Sequence, residues 1–214
     1  MKYKNLAISY GKMSHWWGPG IFNSIVLSSN APSQESFLFG TQENFKINKI
    51  SFGANLLIMP YENHVNTQIY FSGLKTQIIY ESNPKITLGF NRSFLSGDFY
   101  ENQSEEWTLN DAAKLVFEPF FGQQKKNLSY VVPGSPGFDY WDQILSGYLK
   151  LFFPDENVDL YINIASDDSR GNFSDLKAHW DHTLGYIIGI NKKTFNNKYE
   201  TLFGLEYLSL KKSN

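Results

Sequence analysis

The sequence contains no cysteine. Disulfides, thiolate metal sites and cysteine nucleophiles are therefore excluded. Charge is scarce too: Asp, Glu, Lys and Arg make up 19 % of the residues, and the formal net charge is −2. A chain so near neutrality has no electrostatic attraction for nucleic acid or anionic lipid. No basic cluster has the spacing of a nucleic-acid motif. No apolar run approaches the roughly 20 residues that a membrane helix needs. The opening, Met1-Lys2-Tyr3-Lys4 followed by NLAISYGKM, also lacks the apolar core of a secretory signal. There is no phosphate-binding glycine loop and no nucleophile elbow. His15 and His64 are isolated, so no zinc-type cluster is implied, and no cofactor is expected. These absences say nothing against a membrane β-barrel, whose alternating strands escape hydropathy scans.

What is present is aromatic. Phe, Tyr and Trp reach 17 %, with 18 Phe, 13 Tyr and 16 Gly among 214 residues. Flat side chains suit a pleated surface, and the length fits one domain or part of a larger one. Period-two alternation recurs along the chain. Leu6, Ile8 and Tyr10 oppose Ala7, Ser9 and Gly11. Residues 45–59, with ISFGANLLIM, read as one strand. Tyr70, Leu74, Ile78 and Tyr80 oppose Gly73, Lys75 and Gln77. After the Asn83-Pro84 turn, Ile86, Leu88 and Phe90 oppose Lys85, Thr87, Gly89 and Asn91. Further on, Leu145, Leu149, Leu151 and Phe153 oppose Asp142, Ser146 and Lys150. Val158, Leu160, Ile162 and Ile164 oppose Asp159, Tyr161 and Asn163. Leu184, Tyr186, Ile188 and Ile190 oppose Thr183, Gly185, Gly189 and Asn191. Last, Phe203, Leu205 and Tyr207 oppose Gly204 and Glu206.

The second face decides the fold class. A soluble sandwich shows many Lys and Glu to bulk water. Here that face is rich in Gly, Ser, Thr, Asn and Gln, with single charges. Strands of about ten residues with this inventory fit a membrane barrel with a wet interior. A soluble β-sandwich or lipocalin-like barrel fits the same alternation. The stretch 97–139 breaks the pattern and reads as a long extramembrane connection within a single partial barrel domain, 1–214. Leu109-Asn110-Asp111 there is placed to cap a short helix through AAKLVFE, stopped before Pro119. Lys75, Arg92 and Lys150 are expected to line the interior.

The segment HWWGPG, residues 15–20, sets two indoles beside a rigid turn. Gly18 and Gly20 permit unusual backbone angles or close approach, and Pro19 fixes φ. A tryptophan face held in this way stacks on the C–H surface of a sugar ring; the alternative is an indole packed in the interior or at the membrane interface.

Three blocks together resemble the Wzi-type capsule-assembly proteins. The first is Trp17-Gly18-Pro19-Gly20 with Ile25-Val26-Leu27-Ser28, read as a strand, and Asn30-Ala31-Pro32. Ser29 stands where the family has Asn, and an Arg is missing between Ala31 and Pro32. The second is YWDQILSGYLKLFFP. The third is VDLYINIASDDSRGNFSDLKAHWDHTLGYIIGI, carrying Asp167, Asp168, Asp175, His182 and Tyr186. The resemblance implies a non-catalytic outer-membrane β-barrel of a Gram-negative bacterium, a monomer that binds or anchors capsular polysaccharide. The family barrel has eighteen strands, against about nine or ten read here, so the chain is expected to be a partial or short form. The polysaccharide-binding candidates are Trp16, Trp17, Asn30, Asp167, Asp168, Asp175, His182 and Tyr186, with Gly18, Pro19 and Gly20 as the structural turn. Two other functions stay open: a glycan-active enzyme using Asp167, Asp175 or His182, and a passive porin-like barrel. The acidic loop also suits either a cation or ordinary solvation.

Overall fold

The computed structural model describes residues 2–30, 32–62, 68–97, 113, 116–117, 120, 142–167, 184–196 and 199–210. The structure is all-β. Its strands are β1 (Lys2–Tyr3), β2 (Leu6–Met13), β3 (Gln34–Thr41), β4 (Phe45–Ile47), β5 (Ile50–Glu62), β6 (Gln68–Tyr80) and β7 (Lys85–Gly97). They continue with β8 (Asp142–Phe153), β9 (Val158–Asp167), β10 (Leu184–Asn196) and β11 (Tyr199–Leu210). All belong to one sheet with the order β1-β2-β3-β5-β6-β7-β8-β9-β10-β11, and β4 pairs with β5 outside that path. Every pairing among the described residues is antiparallel, and all but β3 with β5 join chain neighbours. Among the described residues no ladder joins β1 to β11, so the sheet is not closed by hydrogen bonds.

The alternation in the sequence becomes two faces because the registers keep parity from strand to strand. Phe52 sits opposite Ile78, Ile78 opposite Leu88, and Leu88 opposite Leu149. Leu149 continues to Ile162, Ile188 and Tyr207. This row is one face; Leu149 and Ile162 are half-buried and the rest are exposed, Leu88 at 52 % and Tyr207 at 60 %. The other face holds Ser36, Asn91, Ser146 and Asn163, none more than 1 % accessible. Polar residues are thus enclosed and Leu, Ile and Phe face outward, the inverse of a water-soluble sandwich. On β5–β7 the outward exposure is concentrated at one end; nearer the other, Leu56, Leu74 and Phe94 are buried.

The two ends of the strands differ. One rim carries the described brief connections 4–5, 48–49, 81–84 and 154–157; the strand ends that precede residues 14, 63, 98 and 168 lie at the opposite rim. At the first rim Asn48 takes a left-handed φ of 53°. Asn tolerates that region, and it lets the chain reverse so that Ile47 faces Ile50. The single strand expected over 45–59 is therefore two. Strand β3 was not anticipated, although Phe37 and Phe39 alternate with Ser36, Leu38 and Gly40. Conversely, 25–28 is not a strand; its only ladder contact is one bridge, Trp17 to Leu27.

Lys75 and Lys150 lie on the enclosed face as expected. Arg92 does not: its Cα partners are Leu74 and Leu145, which places it on the outward face. There it lies 5.1 Å over the Phe94 ring and donates to Gln143 at 3.4 Å. In the long connection, Ala113, Val116, Phe117 and Phe120 are helical; the expected stop before Pro119 falls on residues outside the described ones. The proposed cap at 109–111 lies outside the described residues.

Candidate functional site

The connection 14–33 does not stay at the rim. It folds into the enclosed side of the sheet, where it meets inward positions of β3, β6, β9, β10 and β11. A segment that touches one face of strands so far apart in order requires the sheet to curl around it.

One end of this strap is fastened by packing. Trp17 is 3 % accessible and clusters with Leu57, Met59 and Phe71, with Val26, Leu27, Leu38 and Leu95 around them. Its ring meets Phe71 edge-on, with centroids 6.3 Å apart and planes at 65°. It also lies flat against Gly73, where an added Cβ would come 2.7 Å from the indole. The Trp17 amide donates to the Leu27 carbonyl at 3.0 Å, so 18–26 forms a closed lobe. Below it, Lys75 Nζ donates to the Trp16 carbonyl at 3.2 Å. His15 Nε2 and Ser36 Oγ are 2.9 Å apart. Burial first, and the nearby Lys75 charge second, hold the His15 pKa below its ordinary 6.5.

The lobe explains why the turn reads Gly-Pro-Gly. Gly18 has φ +151°, and a Cβ there would press on the Asn163 amide at 3.2 Å. A Cβ on Gly20 would fall 2.3 Å from the Asn23 carbonyl oxygen. Trp16 Nε1 donates to the Gly20 carbonyl at 2.8 Å, which closes the turn from outside.

The far end of the strap is fastened by one carboxylate. Glu206 Oε1 accepts from the Ile21 amide at 2.5 Å. Its Oε2 accepts from the amides of Phe22 at 3.2 Å and Asn23 at 2.9 Å, and from Asn23 Nδ2 at 3.1 Å. The Tyr161 hydroxyl also donates to Oε1. Three successive backbone N–H groups around one anion form a nest. Among the described residues no Lys or Arg pairs with Glu206, and these hydrogen bonds compensate its charge.

Around the strap the inner face is built for polar contact. The Tyr148 and Tyr161 rings cover Gly89 and Gly189, where a Cβ would come within 2.0 Å and 2.2 Å of them. Tyr148 donates to Gln77 at 3.4 Å, and Gln77 to Asn44 at 3.2 Å. Lys150 pairs with Asp159 at 3.0 Å. Asn91 donates to Ser146 at 3.0 Å. Among the described residues, both amide atoms of Asn163 and the oxygens of Asn91 and Asn191 are buried with no hydrogen-bond partner. Such amides suit water or a hydroxyl-rich ligand. The inner carboxylates Asp159 and Glu206 are each committed to a partner. No group of three or more His, Cys, Asp or Glu converges among the described residues.

The candidate binding residues do not assemble in one place. Trp17 is sealed in packing, so its face is not available for stacking. Trp16 is half-buried and Asn30 exposed on the strap. Asp167 closes β9 opposite Ile144. Tyr186 stands on the outward face, 5.9 Å from the Tyr207 ring. Asp168, Asp175 and His182 lie outside the described residues. Sequence reasoning missed Glu206, Tyr161 and Asn163 as strap contacts. The available signal was a lone acid on the glycine-bearing face of β11. Comparisons with family models, with curated proteins and with solved structures find no match.

Proposed function

We propose that this chain forms wall of an outer-membrane β-barrel that binds or anchors surface polysaccharide without catalysis. One observation carries the membrane half: the inverted distribution of side chains, apolar outward and polar inward, on a sheet with one short-turn rim. An outward belt of Ile8, Phe37, Ile78, Leu88, Ile188 and Leu205 is costly in water and favourable in lipid. The polysaccharide half is supported by the resemblance of three sequence blocks to the Wzi-type family. It is also supported by an interior of Asn, Ser, Gln and Tyr, whose amides and hydroxyls match sugar hydroxyls. In this reading Trp17 holds the strap, and Trp16 and Asn30 are the residues left to meet a glycan.

The test has two arms. The purified chain is reconstituted into lipid vesicles and its retention of capsular polysaccharide is measured against a neutral dextran. Selective retention, reduced at least several-fold by Gly18→Val with strand content intact, is expected. Equal retention of both polymers would favour a passive barrel. Folding as a monomer in detergent-free buffer would overturn the membrane reading itself.

A further inference from the structure

The strap is fastened at two places by different physics. Trp17 is held by apolar packing against Leu57, Met59 and Phe71. The lobe tip is held through one side chain, Glu206, which gathers the amides of Ile21, Phe22 and Asn23. Charge-assisted hydrogen bonds are strong only while the charge and geometry persist. The packed end has no such dependence.

We propose that Glu206 is the latch of a hinged luminal strap: its carboxylate keeps the lobe 18–26 pressed onto β9–β11, and its release swings the lobe about the Trp17 anchor. The geometry supports a hinge rather than a loose loop. The lobe is closed on itself by the Trp17–Leu27 bridge and by Ser24 Oγ donating to the Trp17 carbonyl. It therefore moves as a unit. Besides the latch, the lobe rests on glycines of β10 and β11 and on the Asn163 amide of β9: Gly18 abuts Asn163, Gly204 abuts Ile21 and Phe22, and Gly185 lies near Ile25. Beneath the lobe lies Asn163, fully buried, with no partner for either amide atom among the described residues. Opening would expose that polar floor to whatever occupies the interior. The inference stands whether or not the ligand is a polysaccharide.

The absence of native cysteine makes a direct test possible. Asn163→Cys places one thiol under the lobe. Its reaction rate with a small, charged methanethiosulfonate is measured in the vesicle-reconstituted full chain. The rate is compared in the Glu206, Glu206→Gln and Tyr161→Phe backgrounds. Lys193→Gln, which removes a rim ion pair with Glu200, serves as the control. A rise of about tenfold or more is expected for Glu206→Gln, a smaller rise for Tyr161→Phe, and none for the control. Heat-modifiable gel migration shows that each variant is folded. An unchanged rate in folded Glu206→Gln would overturn the latch. So would an equal rise in the Lys193→Gln control, because it would mean general loosening. If Glu206→Gln fails to fold, Tyr161→Phe decides by the same criterion.

Discussion

Replacing Trp17 with alanine separates a packing role from a ligand platform. Trp17 is 3 % accessible and touches Leu57, Met59 and Phe71. Truncating a buried aromatic of this size typically costs about 3–5 kcal/mol through lost transfer energy and the cavity left behind. The edge-on contact with Phe71 belongs to the geometry that adds about 0.5–1.5 kcal/mol beyond area. Because the truncation figure already contains part of that contact, we expect about 4 kcal/mol, or roughly a thousandfold in the folding equilibrium. Trp17→Phe retains an aromatic against Phe71 and should lose about half as much. The assay is urea unfolding of the lipid-reconstituted chain followed by the strand signal in circular dichroism. If Trp17 were a sugar platform, alanine would leave stability almost untouched and remove only glycan retention. A loss below about 1 kcal/mol, the scale of an ordinary surface substitution or less, would refute the packing argument.

Two further outcomes follow from the faces and from the strap. Leu88→Arg puts a cation on the outward row and should cost about 2–4 kcal/mol in lipid, whereas Thr87→Arg, on the enclosed face, should cost far less; equal costs in the same vesicle unfolding assay would mean the faces are misassigned. His15 has a pKa held below its ordinary value by burial and Lys75. Folding therefore disfavours its protonated form, so the neutral ring's contribution is present above about 6.5 and lost as pH falls through the folded-state value. Wild type should lose stability between about pH 7 and 5 more steeply than His15→Gln, and parallel profiles would remove His15 from the account.

The faces were legible in the sequence because a strand has a period of two and the registers preserve it. Leu88, Ile188 and Leu205 on one side, and Asn91, Asn163 and Gly189 on the other, needed no tertiary knowledge. The break at Asn48 was legible but overlooked: Phe45 and Ile47 alternate in one phase, Ile50 and Phe52 in the other, and the polar pair Asn48-Lys49 marks the shift. Strand β3 was hidden by its polar start, Gln34-Glu35-Ser36. Arg92 misled because charge suggests an interior, whereas parity places it opposite Leu74. The strap was the least legible part. A connection rich in Trp, Gly and Ser reads the same whether it lies outside a rim or inside the curl. Long-range contacts distinguish the two cases, such as Trp17 with Leu57 and Phe71 and Glu206 with Ile21, 185 residues away in the chain, and no local pattern contains those pairings.

The strap also constrains the order in which the molecule can be made. Its Trp17 end rests on strands formed early in the chain, whereas its Glu206 contact waits for β11. Contacts so distant in sequence are slow to form. The first strands and the strap can settle as a mandrel, and the later strands then roll over it until Glu206 meets the waiting amides. Damage at Trp17 would thus surface as faulty arrival of the β10–β11 hairpin, far along the polypeptide.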